Sequence, residues 1–567
     1  MCDKDDCPNF GYLSLRQVEI DGPVDLRYCR FTAAPDFFQL RTTSYVDLEG
    51  ARLERGIKAS FIEAPDGVDF YRATLGGNLD LEGSKVGDRL RIANCGTING
   101  SLVLRGCQID GDLECYDITV SGPAYLSNMM VEGDISFRKS SFSEGVQFFY
   151  TTSRQKVDLS HCRFIGLADF EGLRVAHDLI WDEASFQRNA IFDKADLGGF
   201  MEGAATFQGE ASFARTIFRS PTAIRSSARG VSLREARFEA GATLLLRYAT
   251  VDMSGAILAG PTNLISLNRP FRSLFSDSLD SPVQLGDGAI VKLIDVSSVD
   301  TSNLTLTDID LTMCHFAGAF NLDKLRLEGA WTFGSPPRKR IGIAPFTWTK
   351  RKIIEEERQW RARHRHSRLL KTGWGDPSHH EQDVPGLAAL ATIYRQLRKG
   401  REDAKDEPGA NDFYYGEMEM RRHSQEWRKA ERWLLQAYWL LSGYGLRASR
   451  AFAWLGIAMV ITTILMTGFG LPQVSPKQEA IGTISDPGRR ITLEIGKQSP
   501  KDPNGARFTS ERLEKAINIT LNSAVFRSSG QDLTRAGVYI EIASRLVEPA
   551  LIGLGILAIR GRLKRGT

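Results

Sequence analysis

Apolar and polar positions follow a unit that recurs about every 11 residues, from near the start of the chain to about residue 262. Val24-Asp25-Leu26 leads to Cys29-Arg30-Phe31, and Val46-Asp47-Leu48 to Ala51-Arg52-Leu53. Leu79-Asp80-Leu81 leads to Ser84-Lys85-Val86, and Val157-Asp158-Leu159 to Cys162-Arg163-Phe164. Each unit is apolar, any, apolar, two polar or small, small, polar, apolar. The apolar pairs alternate with period two, as in a short strand with one face inward. Glycine often precedes the first strand, as at Gly22, Gly67, Gly77, Gly111, Gly133, Gly145 and Gly241. There it is expected to free the backbone for a corner. Short strands, corners and no room for hairpins predict a coil that winds one way, each turn hydrogen-bonded to the next.

The pattern resembles the pentapeptide-repeat family, whose motif points a central Leu or Phe inward with a small residue two positions earlier. Ala51 and Leu53 match that pair, as do Ala195 and Leu197, Ala236 and Phe238, and Ala256 and Leu258. The departure is one extra residue in every second pentapeptide. The resemblance implies a right-handed quadrilateral β-helix, with about 11 residues per half coil. Roughly a dozen coils at about 4.8 Å each give a rod about 55 Å long. The β-helix is expected over 11–330, irregular around 265–290. Leu304-Thr305-Leu306, Ile309-Asp310-Leu311 and Leu325-Arg326-Leu327 are read as capping coils.

Residues 331–386 read as a linker and a charged helix, with Glu355-Glu356-Glu357 near the helix start. His364, His366, His379 and His380 sit among arginines, which oppose a cation, so a solvated basic face is expected rather than a metal. A helical hairpin is predicted over 387–445. Leu387, Leu390, Ile393, Tyr394 and Leu397 share one face, and Glu407-Pro408-Gly409-Ala410-Asn411 breaks the helix. Tyr394-Arg395-Gln396-Leu397, Phe413 to Glu419 and Ser442-Gly443-Tyr444-Gly445 resemble a unit of bacterial pentapeptide-repeat membrane proteins. That likeness implies architecture, not activity.

Ala451 to Leu471 carries no charge across 21 positions, enough to span a bilayer. The first transmembrane helix is placed at 446–472 and the second at 536–560, before a basic tail at 561–567. Basic residues before the first and after the second put both termini in the cytoplasm of a multi-pass cell-membrane protein. Residues 473–535 then form an extracytoplasmic loop. Within it, 511–527 reads as an amphipathic helix with Leu513, Ala516, Ile517, Thr520, Leu521 and Ala524 near one face. Span, amphipathic helix, loop and span is the outline of a two-helix ion-channel module. The loop Ser528 to Leu533 lacks a potassium-channel filter.

Glu541, Arg545 and Glu548 fall on one face of the second span. They are the polar site candidates there, as an ion path or an assembly contact. Against this, a span starting near Leu546 would leave the first two at the interface. Gly553 to Ala558 matches a dinucleotide fingerprint only on paper, because no strand precedes it. Its small residues are read as helix-packing points.

Net charge is +3 over 567 residues, which excludes a polyanion mimic and a strong nucleic-acid binder. Arg27, Arg52, Lys85, Arg105, Arg163 and Arg237 on outward positions argue the same way. Of eight cysteines, Cys29, Cys95, Cys107 and Cys162 occupy the small inward slot, and Cys115 an apolar one. Cys2 and Cys7 are too weak a pair to assign a metal. The start, MCDKDDCPNF, has no signal-peptide pattern, so reduced thiols are expected. No catalytic, cofactor-binding or metal-binding residue is assigned. The expected function is a membrane-anchored, non-enzymatic scaffold with a cytoplasmic rod. The alternative is a channel-like or membrane effector protein. A third reading, membrane-associated oxidoreductase, rests only on the label carried by proteins of similar layout. Expected partners are the lipid bilayer and proteins on the rod faces, with a homo-oligomer left open and no nucleic acid.

Overall fold

The computed structural model describes residues 8–271, 289–337, 350–363, 374, 385–472, 478–481, 494–497, 505, 507–525 and 530–563. Two compact units form, residues 1–386 with 393–405, and residues 387–392 with 406–567.

The first unit is a β-solenoid of stacked parallel coils. Strands Val46–Asp47, Arg52–Leu53, Ile57–Lys58 and Glu63–Ala64 follow one another along the chain. They pair with Val68–Asp69, Thr74–Leu75, Leu79–Asp80 and Lys85–Val86 one coil on. A coil therefore takes two of the repeating units, and side-chain bonds between coils link residues 22 apart. One row runs through 12 strands, from Glu19–Ile20 to Ile257–Leu258, the dozen coils expected.

Where the position read as unconstrained holds Asp, its side chain closes the corner. Asp47 Oδ1 accepts from the backbone N–H of Glu49 at 2.9 Å, and Asp69 Oδ1 from Tyr71 at 2.7 Å. Asp158 and Asp169 do the same with Ser160 and Glu171. This Asx turn leads into a left-handed residue at Tyr28, Gln39, Arg72 and His161, with φ of 56–58°. Phe61, Lys139 and Tyr150 take the same conformation, with φ of 55–61°, after Lys58, Ser136 and Gln147. Gly50, Gly83 and Gly172 fill the same slot. The glycines expected to supply the corners divide. Gly67 has φ 115°, but Gly77, Gly111, Gly133 and Gly145 are not left-handed. At Gly111 the demand is for space, since a Cβ would lie 2.0 Å from the carbonyl oxygen of Asp88.

Side chains stack in columns inside. Phe142, Phe164, Phe186 and Phe207 lie face to face with centroids 5.3, 4.6 and 4.7 Å apart. From Ala204 the strands lengthen and the coil tightens: Thr222 pairs with Ala242, and Ala242 with Thr262. Thr262 then pairs with Leu304, so the irregularity expected at 265–290 is an insertion within one coil. Residues 272–288 lie outside those described.

Helix α1 (Glu355–Arg363) and the later turns of α2 (Leu387–Asp403) meet the last coils. Glu356 Oε1 accepts from the backbone N–H of Phe316 at 2.5 Å and of Ala317 at 2.8 Å. Arg401 donates to the carbonyls of Leu325 and Leu327, and Lys399 pairs with Asp323 at 2.7 Å. Solenoid ends need such capping. Glu355, Glu356, Glu357, Arg351 and Arg361 are all buried, so this part of the charged helix is not a solvated face. His364, His366, His379 and His380 lie outside the described residues.

The second unit is mostly helical: α3 (Glu407–Ser424), α4 (Ala430–Ser442), α5 (Ala448–Leu465), α6 (Ser510–Ala524) and α7 (Arg535–Leu563). Asp406 caps α3 by accepting from Gly409 N–H at 3.1 Å, so the helix break falls just before the Pro408-Gly409 pair. Gly443, left-handed at φ 55°, ends α4. Two segments, Ala448–Gly470 and Arg535–Arg560, are long and apolar enough to cross a membrane. The first includes a π-helical turn at Met466–Gly470 after α5.

Candidate functional site

Helix α7 runs unbroken from Arg535 through Pro549 to Leu563. On it, Arg545 Nη2 pairs with Glu541 Oε1 at 2.7 Å. Glu548 turns instead to α5. Its side chain is fully buried, and Oε1 accepts from Thr462 Oγ1 at 2.9 Å. The second oxygen, Oε2, has no hydrogen-bond partner. One residue along α5, Thr463 Oγ1 lies 3.2 Å from Thr520 Oγ1 of α6. Hydroxyls and one carboxylate thus share the seam of three helices. The pair Thr462-Thr463 inside an uncharged run is the signal in the sequence that marks this seam.

Close approach holds the seam together. A Cβ on Gly537 would lie 2.3 Å from the carbonyl oxygen of Gly470, and one on Gly555 would lie 2.9 Å from the Phe452 ring. Gly555 therefore packs as the fingerprint-like segment was expected to, while Gly553 meets nothing within 4 Å. Thr534 Oγ1 donates to the Phe469 carbonyl at 2.6 Å and accepts from Gly537 N–H at 3.1 Å. Arg512 donates to the carbonyls of Thr467, Leu471 and Pro472 at 2.8–3.3 Å. The Thr467 carbonyl is one that a helix end leaves unpaired, and the other two follow that end.

Helix α6 differs from the expected face. Ala516, Ile519, Thr520 and Ser523 are buried, whereas Leu513, Ile517 and Leu521 point outward, 46%, 43% and 51% exposed. Apart from Ile519, small and hydroxyl side chains face protein, and the large apolar Leu513, Ile517 and Leu521 face out. Helices α5 and α7 follow the same rule, with Ile457, Val460, Ile461 and Ile464 exposed on one and Ile542, Leu546 and Ile556 on the other.

Two of the three motif stretches, Phe413 to Glu419 and Ser442 to Gly445, meet. Tyr444 donates to Glu419 Oε1 at 3.1 Å, Arg422 pairs with the same carboxylate at 3.0 Å, and Trp439 Nε1 donates to Tyr415 at 3.1 Å. In the first unit, Glu357 pairs with Arg351 and with Arg361, and accepts from the Tyr394 hydroxyl. Nothing in the sequence pattern separates these buried charges from surface ones, apart from Tyr394 on the apolar face of α2.

The solenoid thiols are core. Cys29, Cys95, Cys107, Cys115, Cys162 and Cys314 are buried, and the last five are free thiols. Burial pushes the Cys95 and Cys107 thiols up to about 12, which makes them poor nucleophiles. Cys2 and Cys7 lie outside the described residues. Among those described, no group of three or more His, Cys, Asp or Glu side chains could hold a metal ion. Outward charges alternate in sign and pair between coils, as in Arg30–Glu54 at 2.6 Å, Arg154–Glu132 at 2.8 Å and Arg215–Glu235 at 2.7 Å. The chain matches no known protein family, curated protein or solved structure.

Proposed function

We propose that this chain is a membrane-anchored scaffold: a cytoplasmic solenoid of the bacterial pentapeptide-repeat type, held by two transmembrane helices. Four strand positions per coil, with a small and a large residue inward, support the quadrilateral form, and the right hand is what the family resemblance implies. The observation that carries the anchor is the polarity of α5, α6 and α7. Thr462, Thr520 and Glu548 are buried, and between the ends of α5 and α7 the exposed large side chains are apolar, whereas α6 also exposes Glu511, Glu514 and Asn518. That arrangement suits a solvent with no hydrogen bonds to offer. Basic flanks put both termini in the cytoplasm, and the solenoid wall, patterned with charges of both signs, is suited to partner proteins.

The test is reconstitution of the full chain in liposomes. The protein is expected to resist alkaline extraction and to pass no ions under varied voltage and pH. Release by alkali overturns the anchor. A conductance that Glu548→Gln alters overturns the scaffold in favour of a channel.

A further inference from the structure

Helix α4 buries one side only. Leu435 packs with Tyr415, Met418 and Tyr444. On the other side Trp433 and Leu434 are 60% and 68% exposed, beside Trp427 at 64%. The rings of Trp427 and Trp433 meet edge-on at 6.1 Å, and the Arg432 guanidinium lies 3.9 Å from the centre of the Trp427 ring. Arg428 and Lys429, in the same turn of chain, are exposed. Three large apolar side chains and three cations therefore share one small surface.

The position of that surface along the chain says what covers it. Only the Gly443–Arg447 turn separates α4 from α5, the first of the two long apolar helices. Trp454 Nε1 of α5 donates to the Leu440 carbonyl at 3.1 Å, and Arg450 to the Trp439 carbonyl at 3.3 Å. These bonds fix the end of α4 against the beginning of α5. At 13 residues, α4 is too short to cross a bilayer itself. Tryptophan, with an apolar body and one N–H, favours the boundary between headgroups and acyl chains. Arginine and lysine there can bury their stems and keep their charges at the phosphates.

We propose that the Trp427–Trp433–Leu434 face of α4 lies in the headgroup boundary of the bilayer that α5 enters, with Arg428, Lys429 and Arg432 on anionic lipid headgroups. The proposal rests on the membrane-spanning reading of α5. It makes the anchor three-point, two spans and one surface helix, and limits how far the attached chain can swing.

The test places an environment-sensitive fluorophore on single cysteines in the full chain, with Cys2→Ser and Cys7→Ser removing the two thiols not placed in the core. Leu434→Cys is compared with Ile461→Cys on α5 and Tyr12→Cys on the solenoid. Vesicles are phosphatidylcholine alone or mixed with phosphatidylglycerol. Expected at 434 is quenching by lipid-borne nitroxide, and iodide quenching several-fold weaker than at 12. Both effects should strengthen with phosphatidylglycerol and weaken when Arg428 and Lys429 are changed to Ala. Lipid contact at 461 with free iodide access at 434 overturns this proposal and leaves the spans standing. Iodide access at both positions overturns the spans. Shielding at 434 without nitroxide quenching means that protein, a second copy or another part of the chain, covers the face, and also overturns it. Trp433→Phe, which keeps an aromatic ring, should retain the quenching pattern if the face is lipid-bound.

Discussion

Glu356 and Glu357 are neighbours in one helix and titrate in opposite directions. Burial pushes the Glu356 carboxyl above its ordinary value, and the backbone donors of Phe316 and Ala317 only partly oppose it. Burial acts on Glu357 too, but the charges of Arg351 and Arg361, with hydrogen bonds from Arg351 and Tyr394, outweigh it and hold the carboxyl below the usual range. By linkage, Glu357 contributes stability above its unfolded value near 4.3 that is lost as pH falls through its lower folded value. Glu356 does the reverse: the folded state holds its proton more tightly, so its contribution fades as pH rises from that unfolded value through the raised one. Glu357→Gln is expected to cost about 3–5 kcal/mol near neutral pH, because it leaves buried arginine charge unmatched. It should also flatten the acid limb of a melting-temperature profile. Glu356→Gln keeps an acceptor for Phe316 and Ala317 and should change stability by less than about 1 kcal/mol. Equal losses for the two variants would contradict this division.

In each coil the decisive elements are the corners. An L-residue in the left-handed region costs about 1–2 kcal/mol, and the solenoid accepts this repeatedly in return for an unbroken ladder. Lys139, at φ 61°, donates its N–H to the Ser160 carbonyl at 2.9 Å. Lys139→Gly should therefore be neutral or stabilising by up to about 1 kcal/mol, the strain relieved roughly offsetting the extra freedom of the unfolded chain. Arg138→Gly, one residue earlier with no left-handed backbone to relieve, should cost about 0.5–1 kcal/mol. Thermal melting of the two variants checks the difference in sign. The repeat, its period and its inward residues were legible because burial imposes period two on every strand, as at Val46 and Leu48. The corner was not: Asp in Val-Asp-Leu varies enough along the chain to read as an open position, and only its bond to the N–H two residues on reveals its task. Likewise, Glu548 stood out as a charge in an apolar run. Its partner Thr462 was marked only by the Thr462-Thr463 pair inside an uncharged run, since a threonine in a helix gives no periodic signal.

Across the whole molecule, the solenoid is a column in which each coil touches only its neighbours, so stability is close to a sum of adjacent contacts. Phe164 shows what that implies. It is buried between Phe142 and Phe186, with centroids 5.3 and 4.6 Å away. Phe164→Asp puts a charge where no donor waits, and a buried unpaired charge is expensive enough to open the coils around it. Coils several turns away keep their own stacks, such as Phe218 on Phe238 at 4.6 Å. The variant should gain protease cuts close to residue 164, keep resistant fragments on either side, and remain with the membrane fraction after alkaline extraction. If one substitution instead leaves the whole solenoid open to protease, the coils unfold as one cooperative block and the nearest-neighbour account is wrong. Loss from the membrane fraction would show that anchoring depends on the solenoid as well as on α5 and α7. The expected local damage follows from the period seen in the chain itself, since a repeat that bonds only one coil ahead can transmit a fault no further than its own ladder.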